Sequence, residues 1–290
     1  MFYRSLLRQL GHQKWLRFGV RDRIIRFFHN PDKTKSEIFK VPFFGKIYVG
    51  NFSTFLDWSV YYYGAYSGEE LILMREAISH VNKPVILDVG ANIGHHSLFA
   101  STVAEEVHSF EPFPEVAQKI KEKIATNNIK NIKLHQVGLG DVNDKLPYAP
   151  PENNNTGTGS FTNVKGENIL LLPIYVGDEY LNNQQVTKVD FIKMDIEGFE
   201  PQALTGLQST INAQRPVVFF EWSADAKGYE KNPKEFFPLD YKIYDFCSER
   251  PFMMFLSKGG YSLNNYSSSD GNKLAVPVEK VEYFSGRIQH

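Results

Sequence analysis

The stretch Val85-Ile86-Leu87-Asp88-Val89-Gly90-Ala91-Asn92-Ile93-Gly94 decides the fold class of this chain of 290 residues. Its apolar start predicts a buried strand, and its glycines predict a tight turn into a helix. Outward from this stretch, short apolar runs alternate with helical patterns and predict four more strands, at residues 107–110, 132–137, 189–194 and 217–220. Such alternation predicts an α/β fold in which a parallel sheet carries helices on both faces.

The turn inside this stretch is the first candidate binding site. In an open α/β sheet, ligands lie beyond the carboxyl ends of the strands. Gly90 lets the backbone turn tightly beside a bound molecule, and Gly94 opens a helix whose free N–H groups favour an anionic group. We therefore expect cofactor contacts from Asp88, Gly90, Asn92 and Gly94. The spacing Gly-x-x-x-Gly differs from the Gly-x-Gly-x-x-Gly of dinucleotide-binding loops, which argues against NAD.

An acid follows the second predicted strand, in the sequence Phe110-Glu111-Pro112. Taken alone, Glu111 would be a surface acid at a strand end. It lies 23 residues after Asp88, however, and an acid about 20 residues beyond a glycine turn is placed to accept hydrogen bonds from ribose hydroxyls. Pro112 belongs to the same candidate site, and the base of a nucleoside is expected at the exit of the third strand, near Val137 and Gly138.

Acids and a lysine surround the end of the fourth predicted strand. Asp195 and Glu197 are expected at the same sheet edge as Asp88, where either acts as a general base or orients a substrate. The alternative is structural, since Lys193 can pair with one acid while Glu200 caps the next helix.

Two further side chains are candidates at this edge. Glu221 ends the fifth strand and either contacts substrate or stays structural. His95 begins the helix after the glycine turn, where it is either a base or a packing residue. Of the two segments that interrupt the alternation, 147–159 predicts a binding loop or a surface excursion, and 261–272 predicts a turn or a mobile tip.

The charge of the chain is balanced overall but uneven along its length. The 32 Lys and Arg residues against 33 Asp and Glu residues argue against nucleic acid as a partner. Residues 1–28, however, hold seven basic residues and one acid, interleaved with apolar residues. This pattern predicts one or two amphipathic helices with a basic face. These helices either touch anionic lipid or an acidic partner, or pack their apolar side on the main domain.

Other features of the sequence bear on location and domain organisation. The single cysteine, Cys247, excludes an internal disulfide and a Cys-based zinc site. No apolar run approaches the roughly 18 residues of a membrane span, and residues 1–28 lack the apolar stretch of a secretory signal. We therefore expect a cytoplasmic protein. Peripheral contact with a membrane through residues 1–28 is an alternative that the sequence leaves open. Residues 1–80, with a hairpin at 38–49, are expected to pack on a core of residues 81–290.

The glycine turn and the acidic motifs together resemble the FkbM family of S-adenosylmethionine-dependent methyltransferases. The resemblance is carried by Leu87-Asp88-Val89-Gly90-Ala91-Asn92-Ile93-Gly94, Phe110-Glu111-Pro112 and Lys193-Met194-Asp195-Ile196-Glu197-Gly198-Phe199-Glu200. It implies a Rossmann-like, class I sheet of seven strands, one of them antiparallel, that binds S-adenosylmethionine. Family members mostly methylate hydroxyls of sugars, glycans or polyketide-type natural products, so the implied partner is a hydroxyl-bearing small molecule or glycan.

A mechanism follows from the implied reaction. The hydroxyl oxygen attacks the methyl group in line, and a nearby carboxylate or histidine takes its proton. Asp195 is the first candidate for this base, and Glu197, Glu221 and His95 are the alternates. We expect no obligatory metal ion, since no His/Asp cluster at ligand spacing is recognisable in the sequence.

Two competing hypotheses remain at this point. A nucleotide-dependent oxidoreductase on the same fold is opposed by the glycine spacing. A non-catalytic adenosyl-binding or membrane-docking module is opposed by the joint presence of Asp88, Glu111, Asp195 and Glu197. The sequence does not predict the oligomeric state or the identity of the acceptor.

Overall fold

The predicted N-terminal helices and hairpin are present in the structure. The computed structural model describes residues 2–13, 15–150, 159–161, 169–223, 232–249, 260–267 and 270–289. The N-terminal elements are α1 (Phe2–Gly11), α2 (Phe18–Phe28), β1 (Ile38–Phe43), β2 (Lys46–Asn51), α3 (Phe55–Tyr63) and α4 (Gly68–Ile78). β1 pairs antiparallel with β2 through a turn in which Phe44 and Gly45 both adopt positive φ.

After α4, strands and helices alternate as the apolar pattern predicts. The first half of this region comprises β3 (Val85–Val89), α5 (His95–Ala100), β4 (Glu106–Phe110), α6 (Pro114–Thr126), β5 (Ile132–His135), β6 (Gly138–Gly140), β7 (Asp144–Tyr148) and β8 (Leu170–Val176). The second half comprises α7 (Gly177–Asn183), β9 (Phe191–Met194), α8 (Glu200–Gly206), α9 (Gln208–Gln214), β10 (Val217–Trp222), β11 (Tyr241–Glu249), β12 (Gly260–Asn265) and β13 (Gly271–Pro277). Short 3₁₀ helices lie at Pro31–Lys33, Pro233–Phe236 and Val278–Phe284.

The main sheet is mixed and mostly parallel, in the order β12-β11-β13-β10-β9-β3-β4-β5. The strands from β10 to β5 are all parallel neighbours. β13 runs antiparallel to both β10 and β11, so β11 has the same direction as the parallel strands. This confirms the predicted α/β class and places the carboxyl ends of β3, β4 and β9 at one edge.

Within the described residues, the sheet has eight strands where the family resemblance implied seven. The additional strand is β12, which lies at the edge and runs antiparallel to β11. It falls in the segment that sequence alone predicted to be a turn or a mobile tip, because the run Ser267-Ser268-Ser269-Asp270-Gly271-Asn272 has the composition of a loop. Burial explains the difference: Tyr261 and Leu263 are both buried, and the Tyr261 hydroxyl donates to Glu76 of α4 at 2.5 Å.

A second, three-stranded sheet was not predicted. β8 lies at its centre, parallel to β6 and antiparallel to β7. The third predicted strand, 132–137, accordingly ends as β5 at His135, and the chain then leaves the main sheet to enter β6. Of the predicted long loop at 147–159, residues 151–158 lie outside the described residues.

Apolar side chains pack on both faces of the main sheet. Because side chains alternate along a strand, Ile86 joins one hydrophobic cluster while Leu87 and Val89 join another. The first cluster also contains Leu7 of α1 and Ile25 of α2, so the N-terminal helices share a core with the sheet. We retain the division into residues 1–80 and 81–290 as a proposal.

Candidate functional site

A pocket lies where the carboxyl ends of β3, β4 and β9 meet. It has an empty volume of about 490 Å³ that is partly open to solvent. Six residues that the sequence predicts for the site line it: Gly90, Asn92, Glu111, Pro112, Asp195 and Glu197. The fold therefore brings together residues from three motifs that are up to 107 positions apart in the chain.

The glycine turn after β3 forms one wall of this pocket through Gly90 and Asn92. Gly90 has a φ of +76°, and a Cβ at this position would lie 2.0 Å from the carbonyl oxygen of Asp195. Glycine is therefore required here both by the backbone conformation and by the close approach of β9's end. The amides of Gly90 and Ala91 both donate to the carbonyl of Phe110, at 3.1 and 2.9 Å, which ties the turn to β4.

Asp88 and Lys193 form a buried charged pair beneath the turn. Asp88 is fully buried and accepts a hydrogen bond from Ser97 Oγ at 2.5 Å. Lys193 Nζ lies 3.8 Å from Asp88 Oδ1 and 3.3 Å from Asp195 Oδ2, and it donates to the carbonyl of Gly90 at 3.2 Å. Burial lowers the pKa of Lys193, but the carboxylates of Asp195 and Asp88 outweigh it, so the net shift is upward. Lys193 therefore stays charged and links the turn to Asp195.

Glu111 is held by the backbone at the end of β4. Its two carboxyl oxygens accept hydrogen bonds from the amides of Asn92 and Phe113, at 2.9 and 3.0 Å. Burial raises the pKa of Glu111 to about 7, against the opposing effect of these two amides. Each oxygen keeps a lone pair for a further donor.

The buried oxygen Oδ1 of Asn92 accepts no hydrogen bond from the described residues. Asn92 lines the pocket next to Glu111 and has a positive φ of 49°. An unpaired buried acceptor is costly unless a ligand or water supplies a donor. The pocket therefore offers hydrogen-bond acceptors to a molecule that carries hydroxyl or ammonium groups.

Several carboxylates lie near the end of β9, at one side of the pocket. The side chain of Asp195 is about half exposed. Desolvation, reinforced by the charges of Asp195 and Glu221, raises the pKa of Glu197 to about 7. The pKa of Glu221 is also raised, by burial first and then by Asp195. Glu200 is buried and accepts from the amide of Ile196 at 2.8 Å, so it holds the loop before α8 and does not cap the helix as the structural alternative in the sequence analysis has it.

The pH dependence of stability tests the protonation of Glu111. Between about pH 4.5 and 7 the folded protein binds more protons at Glu111 than the unfolded chain does, so the contribution of this carboxyl to stability falls as the pH rises. Glu111→Gln removes this titration, and we expect the variant to gain up to about 3 kcal/mol relative to the wild type across this window.

Thermal unfolding of both proteins at several pH values measures this difference. The buried histidines have lowered pKa values, so their contribution to stability rises with pH. This contribution is the same in both proteins and cancels in the comparison. Glu197 is more exposed and solvent screens its charge, so Glu197→Gln should show a smaller change. A difference between wild type and Glu111→Gln that is independent of pH would contradict the prediction.

Six predicted residues lie away from the pocket wall. Asp88 lies beneath the turn, and Gly94 is the N-cap residue of α5, where an added Cβ would lie 3.0 Å from the side chain of Ile120 of α6. Glu221 is not among the residues that line the pocket. Val137 packs against the hydrophobic cluster that includes residues of β9 and β10. Gly138 packs between side chains, since an added Cβ would lie 3.2 Å from Ile174 and 3.3 Å from Phe161.

His95 is the sixth, and its surroundings are those of a packing residue. It is buried, and its Nε2 lies 2.9 Å from the carbonyl oxygen of Tyr66. Its ring contacts those of Phe43 and Tyr48. Burial lowers the pKa of His95 well below its ordinary value. This placement favours the second of the two roles that the sequence left open for it.

Aromatic residues that the sequence analysis missed complete the pocket. Tyr148 and Phe161 line it together with Gly159 and Ile196. The rings of Tyr148 and Phe161 lie 4.9 Å apart, and Phe113 packs against Tyr148 at 5.8 Å. The sequence feature that could have indicated these aromatic residues is the long segment 147–159, for which a binding loop was one of the two predictions.

Two curated proteins resemble part of this chain. The hexuronic acid methyltransferase AglP of Haloferax volcanii is 29% identical over 134 residues, which are 46% of this chain and 54% of AglP. The 2-O-methyltransferase NoeI of Sinorhizobium fredii is 25% identical over 177 residues, which are 54% of this chain and 70% of NoeI. The alignment with AglP thus spans about half of that protein's length.

Two further comparisons concern a solved structure and a family model. The solved structure of an FkbM methyltransferase from Methylobacillus flagellatus aligns with a TM-score of 0.40 and 18% identity, over 69% of this chain and 47% of that one. A family model of the methyltransferase FkbM domain matches residues 88–263, more than half of the chain. The match begins at Asp88 and contains the Glu111 and Asp195 motifs. The chain therefore belongs to the FkbM family of S-adenosylmethionine-dependent methyltransferases.

Proposed function

We propose that this protein transfers a methyl group from S-adenosylmethionine to a hydroxyl of a sugar, a glycan or a natural product. One observation carries the proposal: a single pocket is lined both by Glu111 and Asn92 and by Asp195 and Glu197. The first pair supplies acceptors for hydroxyl and ammonium groups, and the second supplies carboxylates that can take a proton.

The residues of the turn fit an adenosyl cofactor. In this proposal, Glu111 accepts hydrogen bonds from the two ribose hydroxyls, and the unpaired Oδ1 of Asn92 accepts from a donor of the cofactor. Gly90 allows close backbone approach, while Pro112 and the apolar wall of Tyr148 and Phe161 exclude water. When bound, S-adenosylmethionine supplies an electrophilic methyl group on a sulfonium centre.

The chain itself must orient the acceptor hydroxyl and remove its proton. Asp195 is the proposed base because it lines the pocket, reaches solvent, and lies 3.3 Å from the charged Lys193, which orients it. Glu197 is the first alternate, since a pKa of about 7 suits proton transfer near neutral pH. Glu221 is the second alternate, and the burial of His95 makes it the weakest candidate.

The acceptor class rests on the relatives. AglP is named for hexuronic acid and NoeI for 2-O-methylation, so the first name supports a sugar as the acceptor of this chain and the second supports transfer to an oxygen. Carboxylates at the β9 side of the pocket are suited to hydrogen bonding with sugar hydroxyls. We propose a sugar or glycan as the first substrate class to test.

Calorimetric titration followed by a methyl-transfer screen tests the proposal. We expect micromolar binding of S-adenosylmethionine and S-adenosylhomocysteine, no binding of NAD⁺, and transfer to at least one member of a panel of uronic acids, neutral sugars and glycans. Binding of NAD⁺ alone would overturn the proposal in favour of an oxidoreductase. Cofactor binding without transfer across the panel would favour a non-catalytic adenosyl-binding module.

A chelation experiment addresses the role of metal ions. Among the described residues, no three His, Cys, Asp or Glu side chains are grouped in a way that could hold a metal ion. We propose that transfer needs no metal and therefore continues in EDTA. Loss of activity in EDTA and its recovery with Mg²⁺ would contradict this part of the proposal.

A further inference from the structure

The outer side of α2 exposes apolar side chains next to an arginine. Val20, Arg23 and Phe27 follow the spacing i, i+3, i+7 and therefore lie on one side of the helix. We call these three residues the Phe27 face. Phe27 is 82% exposed and Val20 45% exposed, whereas Ile25 on the opposite side is fully buried in the core. One side of α2 therefore packs on the domain, as one of the two predicted alternatives for this segment has it, and the other side remains exposed.

Other residues of the N-terminal segment are also apolar and exposed. Tyr3 and Leu6 of α1 are each about half exposed, and Trp15, between the two helices, is 64% exposed. Phe28, the last residue of α2, is also exposed. Trp, Phe and Leu side chains interleaved with arginines are typical of helices that lie in the headgroup region of a lipid bilayer.

The charge of the chain is segregated around this surface. Residues 1–28 hold seven basic residues and one acid, which leaves 25 basic and 32 acidic residues in the rest of the chain. Some of these arginines are engaged, since Arg4 pairs with Glu37 at 2.7 Å and Arg26 with Asp22 at 2.9 Å. Within the described part of the chain, Arg23 has no acidic partner. The exposed apolar groups therefore lie within the positive part of a protein that is otherwise negative.

We infer that the Phe27 face docks peripherally on an anionic lipid bilayer. The positive segment is attracted to anionic headgroups, and the exposed rings leave water by entering the boundary between headgroups and acyl chains. A second copy of the chain would bring two positive segments together, which disfavours self-association through this face. No helix in the described ranges is long and apolar enough to cross a membrane.

Vesicle co-sedimentation of the full-length chain tests the inference. We expect binding to phosphatidylcholine vesicles that contain phosphatidylglycerol, weak binding to phosphatidylcholine alone, and release at high salt. The double variant Val20→Ser/Phe27→Ser should bind at least about ten-fold more weakly, since it removes the inserted groups. Arg23→Glu should weaken binding at least about five-fold, since it reverses a charge at the surface.

Two matched variants control for general effects of apolarity and charge. Leu239→Ser removes an apolar side chain that is fully exposed elsewhere, and Lys242→Glu reverses an exposed charge on β11. Both should bind vesicles as the wild type does, and all four variants should keep the wild-type unfolding temperature within about 2 °C, because they alter exposed groups. The inference fails if the wild type stays in the supernatant with anionic vesicles. It also fails if the controls lose as much binding as the Phe27-face variants, or if sedimentation shows that this face instead forms a dimer.

Discussion

Replacing Asp195 by Asn is expected to lower kcat for methyl transfer by about 10²–10⁴-fold, the usual contribution of a general base. The amide keeps the shape of the side chain but does not take a proton from the acceptor hydroxyl. Lys193 retains its contacts with Asp88 and the carbonyl of Gly90, so the turn should remain in place. Initial rates on the best acceptor found in the screen measure the effect, and calorimetry should show binding of S-adenosylhomocysteine within about two-fold of the wild type.

The matched control is Asp144→Asn, which makes the same change at an exposed acid that begins β7. It should leave kcat unchanged. A full rate in Asp195→Asn would exclude Asp195 as the base and move Glu197 to first place. In that case Glu197→Gln should abolish the rise of kcat with pH that a carboxyl with a pKa of about 7 produces near neutrality.

Replacing Glu111 by Ala is expected to weaken the binding of S-adenosylhomocysteine by about 10²-fold or more. Hydrogen bonds to a charged group contribute roughly 1.5–3 kcal/mol each, and the proposal assigns two of them to the ribose hydroxyls. The same substitution leaves the amides of Asn92 and Phe113 without their acceptor, so part of the loss could reflect a shift of the glycine turn. Calorimetric dissociation constants give the magnitude.

A series of variants separates these two causes. Glu111→Gln keeps one oxygen for a backbone amide or a ribose hydroxyl, and we expect its affinity to lie between those of the wild type and Glu111→Ala. Glu115→Ala, which removes an exposed acid from the first turn of α6, should bind as the wild type does. Wild-type affinity in Glu111→Ala would show that the cofactor is held elsewhere and would remove the main support for the proposed function.

The sequence determined the parts of the site that depend on local order. The stretch that ends in Gly94 contains its own strand and turn, and Glu111 and Asp195 each follow directly after a strand of their own. In a parallel sheet, residues that directly follow neighbouring strands meet at the same edge, so three separate motifs predict one site without knowledge of the packing. The α/β class and the family resemblance rest on the same local patterns, and both are confirmed.

Only the tertiary structure decided which side chains face the pocket. Tyr148 reaches it because β7 lies outside the main sheet and pairs with β8, a contact between segments more than 20 residues apart that no local pattern encodes. His95 begins a helix at the predicted position, yet its side chain packs among Phe43 and Tyr48 of the N-terminal hairpin, which lies about 50 residues earlier in the chain. The edge strand β12 forms for the same kind of reason, since Tyr261 becomes buried against α4. Local propensity sets the order of elements, whereas burial against distant segments decides which residues of each element remain accessible to a ligand.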